Sequence, residues 1–253
     1  MEKIIEYYKQ QNPNANIDKK GYFQNYNDNY IDRNLPTEIV NDLKQGNGNE
    51  LESKFCAVHS SSALCVNAFA QTRLYPHEFK FENHTDFTDV KFEKKLSTKI
   101  SMPNLDFYLE NDKVIIGFES KYTEYFEAKI EHTNKNLQKY HNNKKLEYLP
   151  NGFMSIIQYY LLKSEEMNLD VAQLIKHTIG LINNKGNKKP ILVYIYWQPT
   201  NWESIDICKK HIQEIEEFSR IIKGFIEFIP ISYTEFWNKY PNEKVRKRYE
   251  QTI

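Results

Sequence analysis

The stretch Asn104-Leu105-Asp106-Phe107-Tyr108-Leu109, Glu110-Asn111-Asp112-Lys113, Val114-Ile115-Ile116-Gly117-Phe118-Glu119-Ser120-Lys121 decides the fold. Its flanks alternate apolar and polar residues and its middle is polar, the pattern of two strands joined by a tight connection. Alternation puts Leu105, Phe107 and Leu109 on one face of the first strand, and Val114, Ile116 and Phe118 on one face of the second. Asp106 then faces away from the first set, and Glu119 and Lys121 away from the second. A loop with an even number of residues sets Asp106 across from Gly117 or Glu119, whereas an odd loop without a bulge breaks the apolar face. The hydrophobic pattern and the charges therefore ask for the same register. In that register Glu119 and Lys121 stand ~7 Å apart along their strand, with Asp106 a cross-strand neighbour.

Two carboxylates beside a lysine suit metal-assisted hydrolysis of a phosphodiester. Magnesium prefers oxygen ligands, commonly one or two carboxylates completed by water and substrate phosphate. The ion acidifies a water and neutralises phosphate charge, and a neighbouring lysine orients that water or stabilises the developing charge. The same residues also fit a sheet face carrying a solvated ion pair.

Asp106 followed by Glu119-Ser120-Lys121 on the next strand resembles the signature of the PD-(D/E)xK nuclease superfamily, with Asn104-Leu105-Asp106 where that family has Pro-Asp or a variant. The likeness extends to Lys54–Phe69, to Phe92-Glu93, to the helix around Gln173-Leu174-Ile175-Lys176-His177, and to Tyr194-Ile195-Tyr196-Trp197. Together these resemble a bacterial restriction-endonuclease-like group over roughly residues 50–240. The resemblance implies an α/β (α+β) fold, a central mixed β-sheet flanked by helices, and magnesium-dependent cutting of DNA, with manganese able to substitute. It implies that Asp106, Glu119 and the Ser120 carbonyl hold the metal and that Lys121 assists the attacking water. Glu93 stands as a further acid, or as a cross-strand partner for a lysine. Gln173 and Lys176, on one helix face with His177 and Gly180, either touch phosphate or water or form a polar face beside the sheet. An early helix often carries one more acid in such proteins, and Glu50 or Glu52 is placed for that role. Enzymes of this kind often dimerise to cut both strands, although no interface is visible in the sequence. The alternatives are a nuclease-fold module that binds nucleic acid without chemistry, and a structural partner protein.

Bulk properties agree with one domain spanning residues 1–253. Lys+Arg and Asp+Glu both number 34, which excludes a histone-like binder but not a local basic cleft. Three cysteines, Cys56, Cys65 and Cys208, without a CxxC pair, fit buried thiols in a reducing cytoplasm. The chain opens without a signal peptide, and no apolar run approaches the ~20 residues of a membrane span.

Along the chain, residues 1–10 predict a short helix and residues 11–34, rich in Asn, Asp and Tyr, an irregular arm. Pro36 opens a helix to Lys44, and Glu50–His59 reads as another. Ser60–Ser62 are candidate caps for a helix over Ala63–Phe69 rather than part of a hydrolase site with His59. Glu52-Ser53-Lys54 repeats the Glu-x-Lys letters, but residues two apart on a helix diverge. Asp89–Leu96 predicts a strand with Val90, Phe92 and Lys94 on one side and Glu93 and Lys95 on the other. Glu124 reads as a cap of the strand end, and the lysine- and asparagine-rich residues 127–150 as a polar, partly helical segment near the cleft mouth. Ser155–Glu165 and Leu169–Ile182 are amphipathic, and Ile191–Trp197 is a buried strand. A helix over Glu203–Lys223 followed by a strand over Phe225–Ile231 predicts a parallel crossover. A short helix over Thr234–Tyr240 and a frayed basic tail at Lys244–Arg248 complete the chain.

Overall fold

The structure is a computed structural model that describes residues 2–46, 51–127, 134–163 and 165–253. The described elements run α1 (Glu2–Gln11), α2 (Tyr26–Asn29), α3 (Thr37–Lys44), α4 (Ser61–Leu74), β1 (Asp89–Lys95), β2 (Asn104–Glu110) and β3 (Val114–Lys121). They continue through α5 (Glu124–Glu127), α6 (Asn134–Gln138), α7 (Phe153–Leu162), α8 (Val171–Asn184) and β4 (Lys189–Tyr196) to α9 (Asp206–Ile222), β5 (Glu227–Ser232), α10 (Tyr233–Lys239) and α11 (Glu243–Tyr249).

The five described strands form one sheet in sequence order. β1, β2 and β3 are an antiparallel meander, while β4 pairs parallel to β3 and β5 parallel to β4. The sheet is therefore mixed, with helices on both faces. One face packs Phe92, Phe107, Phe118 and Val193 against α3, α4, α10 and α11. The other packs Tyr108, Ile115, Leu192 and Tyr194 against α7, α8 and α9. Burial on both sides explains why β4 reads as an unbroken apolar run.

The β2–β3 hairpin has the predicted parity: Phe107 pairs Phe118 and Glu110 pairs Ile115, so one further step sets Asp106 across from Glu119. The faces depart from simple alternation at one place. Leu105 crosses to the α8 side, where its methyls lie over Gly117. Lys94, expected beside Phe92, instead lies over the Tyr108 ring. The cause is local. Glu93 has a φ of +51°, and the β1–β2 ladder skips the Glu93/Asp106 position, so both strands turn over there.

Two further expectations are corrected. Residues 51–59 are not a helix: a turn leads into a single 3₁₀ turn over Lys54–Cys56. The backbone beyond it is claimed by the arm, with Tyr22 bridged to Ala57 and the Phe23 N–H donating to the Cys56 carbonyl. Glu50 lies outside the described residues. The C-terminal basic run is not frayed, because Val245 and Tyr249, one helical turn apart, bury the inner face of α11. Tyr249 accepts a hydrogen bond from Asn67 on its hydroxyl and one from the Trp197 indole on its carbonyl.

Candidate active site

The β3 strand ends at Lys121, which lines a cleft of about 770 Å³ together with Asp106, Gln173 and His177, while Glu119 and Ser120 lie buried just behind it. Ladder geometry sets their directions. The Lys121 carbonyl accepts from Trp197 N–H on the β4 side, so the Ser120 peptide groups leave the strand on the β2 side. Pairing with β2 has already ended at Phe118, and the Asp106 carboxylate takes the vacant position, accepting the Ser120 N–H at 2.6 Å. Asp106 is thus seated by the backbone of the strand that carries Glu119. The Ser120 hydroxyl turns to the opposite face and pairs with Tyr233 at 2.8 Å.

Glu119 is buried, with 1 % of its side chain exposed. One carboxylate oxygen lies 2.7 Å from Lys121 Nζ and the other 2.9 Å from His177 Nε2. Neither contact is aligned as a hydrogen bond. Lys121 also donates to Gln173 Oε1 at 2.9 Å. Gln173 and His177 are one turn apart on α8, so that helix meets both members of the Lys121–Glu119 pair. Asp170 caps α8 by accepting the Gln173 N–H.

The charges are strongly interdependent. Burial pushes the Glu119 pKa up, but Lys121 and then His177 outweigh it and hold the carboxyl at about 2. Asp106 moves the opposite way: burial first, then Glu119, and Glu93 as well, raise it well above the carboxylate range against the pull of Lys121. Burial acts to lower the Lys121 pKa, yet Glu119, Glu124 and Asp106 raise it, so the ammonium keeps its proton at neutral pH. The same set of neighbours thus shifts the two carboxyls in opposite directions.

Glu93 lines the same cleft, and its Oε2 accepts from Asn104 Nδ2 at 2.9 Å. Lys176 lines it as well. Glu52 is exposed and does not line the cleft. Glu124 caps the strand end as expected, accepting the Tyr122 N–H, and also reaches the cleft. The expectation for residues 127–150 falls partly on 128–133, outside the described residues. The described remainder packs Leu137, Tyr140 and Leu146 into the α8-side core.

The opposite wall was not foreseen. Tyr22, Lys54, His59 and Ser60–Ser62 line it. Ser60 caps α4 by accepting the Ala63 N–H, as read from the sequence, and that capped end opens onto the cleft. Tyr22 belongs to the tyrosine-rich arm, and its placement on this wall depends on the bridge to Ala57.

The chain was then compared with known proteins. The family model described as "Restriction Endonuclease associating with ARP" matches residues 2–251. This chain belongs to that family. The mixed sheet flanked by helices is consistent with a restriction-endonuclease-like fold. No curated protein and no solved structure matches the chain. Among the described residues, no helix is long and apolar enough to cross a membrane.

Proposed function

We propose that this restriction-endonuclease-like protein hydrolyses phosphodiester bonds in DNA with the help of magnesium, for which manganese substitutes. One observation carries the reading. The Asp106 carboxylate, seated on Ser120 N–H, and the Glu119 carboxylate, against Lys121, meet at one end of the hairpin beside a large cleft.

The residues fit a hard cation. Both Glu119 oxygens are buried without an aligned hydrogen bond, and the Ser120 carbonyl points to the Asp106 side. Among the described residues, no group of three His, Cys, Asp or Glu side chains is placed to hold an ion. The donor set offered is two carboxylates, a backbone carbonyl and water, and such all-oxygen sets suit magnesium rather than zinc. When bound, the ion supplies charge neutralisation at the phosphate and a more acidic water.

The chain's own groups do the rest. Lys121 is a protonated cation and acts as an electrostatic and orienting group, not as a base. Two of its contacts, to Glu119 and Gln173, fix its position, which leaves a third donor for a phosphate oxygen or the attacking water. Glu93 adds negative charge beside Asp106, and Lys176 offers a phosphate contact in the same cleft. Cutting both strands of a duplex calls for two such sites, hence a dimer on DNA. The family description also names an association with ARP, which we carry to this chain as a partner to seek by co-purification.

A second reading, a DNA-binding module without chemistry, draws support from the resting contacts, since Lys121 and His177 already take up the two Glu119 oxygens. Incubation with supercoiled plasmid and Mg²⁺ separates the two. Nicking that EDTA stops and that Glu119→Ala abolishes, with DNA binding retained, supports the nuclease. Undiminished cutting by Glu119→Ala rules this site out.

A further inference from the structure

We propose that His177 is a positioning residue for Glu119, holding the buried carboxylate in the orientation from which it receives a divalent ion. The inference deepens the nuclease reading and rests on it.

His177 is as buried as Glu119, with 1 % of its side chain exposed. Its Nε2 stands 2.9 Å from Glu119 Oε2, on the side opposite the Lys121 contact. A carboxylate oxygen accepts and a ring N–H donates, so Nε2 is the group placed to serve as donor to Oε2. A buried carboxylate with each oxygen set against a nitrogen cannot turn freely: swinging either oxygen away leaves a polar contact unmade in a poorly solvated place. Lys121 alone would not define the orientation, because its flexible stem can follow the carboxylate. The imidazole is short, rigid and carried by a helix fixed at both ends.

The anchoring of that helix is specific. Asp170 caps its start. At its end, Asn183 and Asn184 both donate to the Ser97 carbonyl at 2.8 Å, tying α8 to the β1–β2 connection. In between, Gly180 packs against Leu96, and Leu181 approaches Gly117 on β3. His177 is therefore placed relative to β3 by backbone packing on either side. Gln173, a turn earlier, places Lys121 in the same way, so one helix sets both members of the pair. The contact is close but off line.

Partners that orient a ligating carboxylate typically change metal affinity ~10–100-fold when removed. The test titrates Mn²⁺ into the full chain without DNA, reading free Mn²⁺ by electron paramagnetic resonance, with thermal unfolding run alongside. His177→Phe keeps the ring volume and removes the donor; His177→Gln restores an N–H. If the Phe variant does not fold, His177→Leu takes its place. The proposal expects weaker binding by ~10-fold or more in His177→Phe and recovery of most of it in His177→Gln. Wild-type affinity in His177→Phe, or equal weakening in both variants, overturns the positioning role and leaves the nuclease reading standing. Failure of the wild-type chain to bind Mn²⁺ overturns both.

Discussion

Replacing Lys121 by Met tests the electrostatic design of the site without any substrate. Glu119 is held at about 2 rather than its ordinary 4.5, and Lys121 is the largest favourable contributor to that shift. That difference corresponds to about 3–4 kcal/mol, at ~1.4 kcal/mol for each tenfold change in proton affinity. Because the carboxylate pKa is depressed in the fold, this stability is present above pH 4.5 and is lost as pH falls through about 2. Lys121→Met leaves a buried carboxylate with His177 alone, and breaking a buried pair costs about 3–5 kcal/mol. For a chain of this size that lowers the melting temperature by roughly 6–20 °C, at ~2–4 °C per kcal/mol. Glu119→Gln/Lys121→Met removes both charges and should be less damaged than the two single losses summed, with a coupling of about 2–3 kcal/mol. The assay is urea unfolding at pH 7 in EDTA for the four proteins of the cycle. A cost below about 1 kcal/mol for Lys121→Met, or strict additivity, would refute the reasoning. Saturating Mn²⁺ should return ~2–3 kcal/mol to Lys121→Met if an ion takes up the vacated electrostatic role.

Two other predictions concern the scaffold. His211 is buried, donates to or accepts from Tyr194 OH at 2.9 Å, stacks on Tyr125, and is pushed down by burial to about 3. Only the unfolded chain takes up its proton between pH 6.5 and 3, so stability falls with pH across that window; from pH 7 to pH 5 wild type should lose about 2 kcal/mol more than His211→Gln in urea unfolding. A Cβ at Gly117 would stand 2.7 Å from a methyl of Leu105, which is fully buried, so Gly117→Ala should cost ~1–3 kcal/mol by calorimetry. Leu105→Ala in the same chain should recover part of that loss, and an unchanged melting temperature in Gly117→Ala would contradict the packing described.

Much of the fold was legible because its signals are local. Alternation in 104–121 defines a hairpin, and parity ties Asp106 to Glu119 without knowledge of the rest of the chain. The apolar run at 191–197 and the helix and strand after it announce a parallel crossover, and β3, β4 and β5 are indeed parallel. What escaped depends on distant partners. A left-handed φ at Glu93 is not written in its neighbours, and with the skipped Glu93/Asp106 pairing it accompanies the move of Lys94 and Leu105 to the other face. Helical spacing around Cys56 was overridden by pairing with Tyr22, a residue 34 positions earlier than Cys56. The basic residues of the tail dominate its composition, yet the apolar pair Val245 and Tyr249 decides its packing.

The site followed the same division. Asp106, Glu119, Lys121 and Gln173 are brought together, and Glu93 joins them along the cleft. Helical spacing put Gln173 and His177 on one face, but only tertiary packing decides that one meets the lysine and the other the glutamate. The far wall combines a helix cap readable in sequence with an arm residue that is not.

The central claim is that Asp106, Glu119 and the Ser120 carbonyl grip one divalent ion. A crystal of the full chain soaked in Mn²⁺ and measured at the manganese edge tests it directly. The account predicts one anomalous peak at ~2.0–2.3 Å from an oxygen of each of these three residues, with water completing the shell. A fully occupied peak elsewhere, or none at this position with Asp106 still seated on Ser120 N–H, would contradict it.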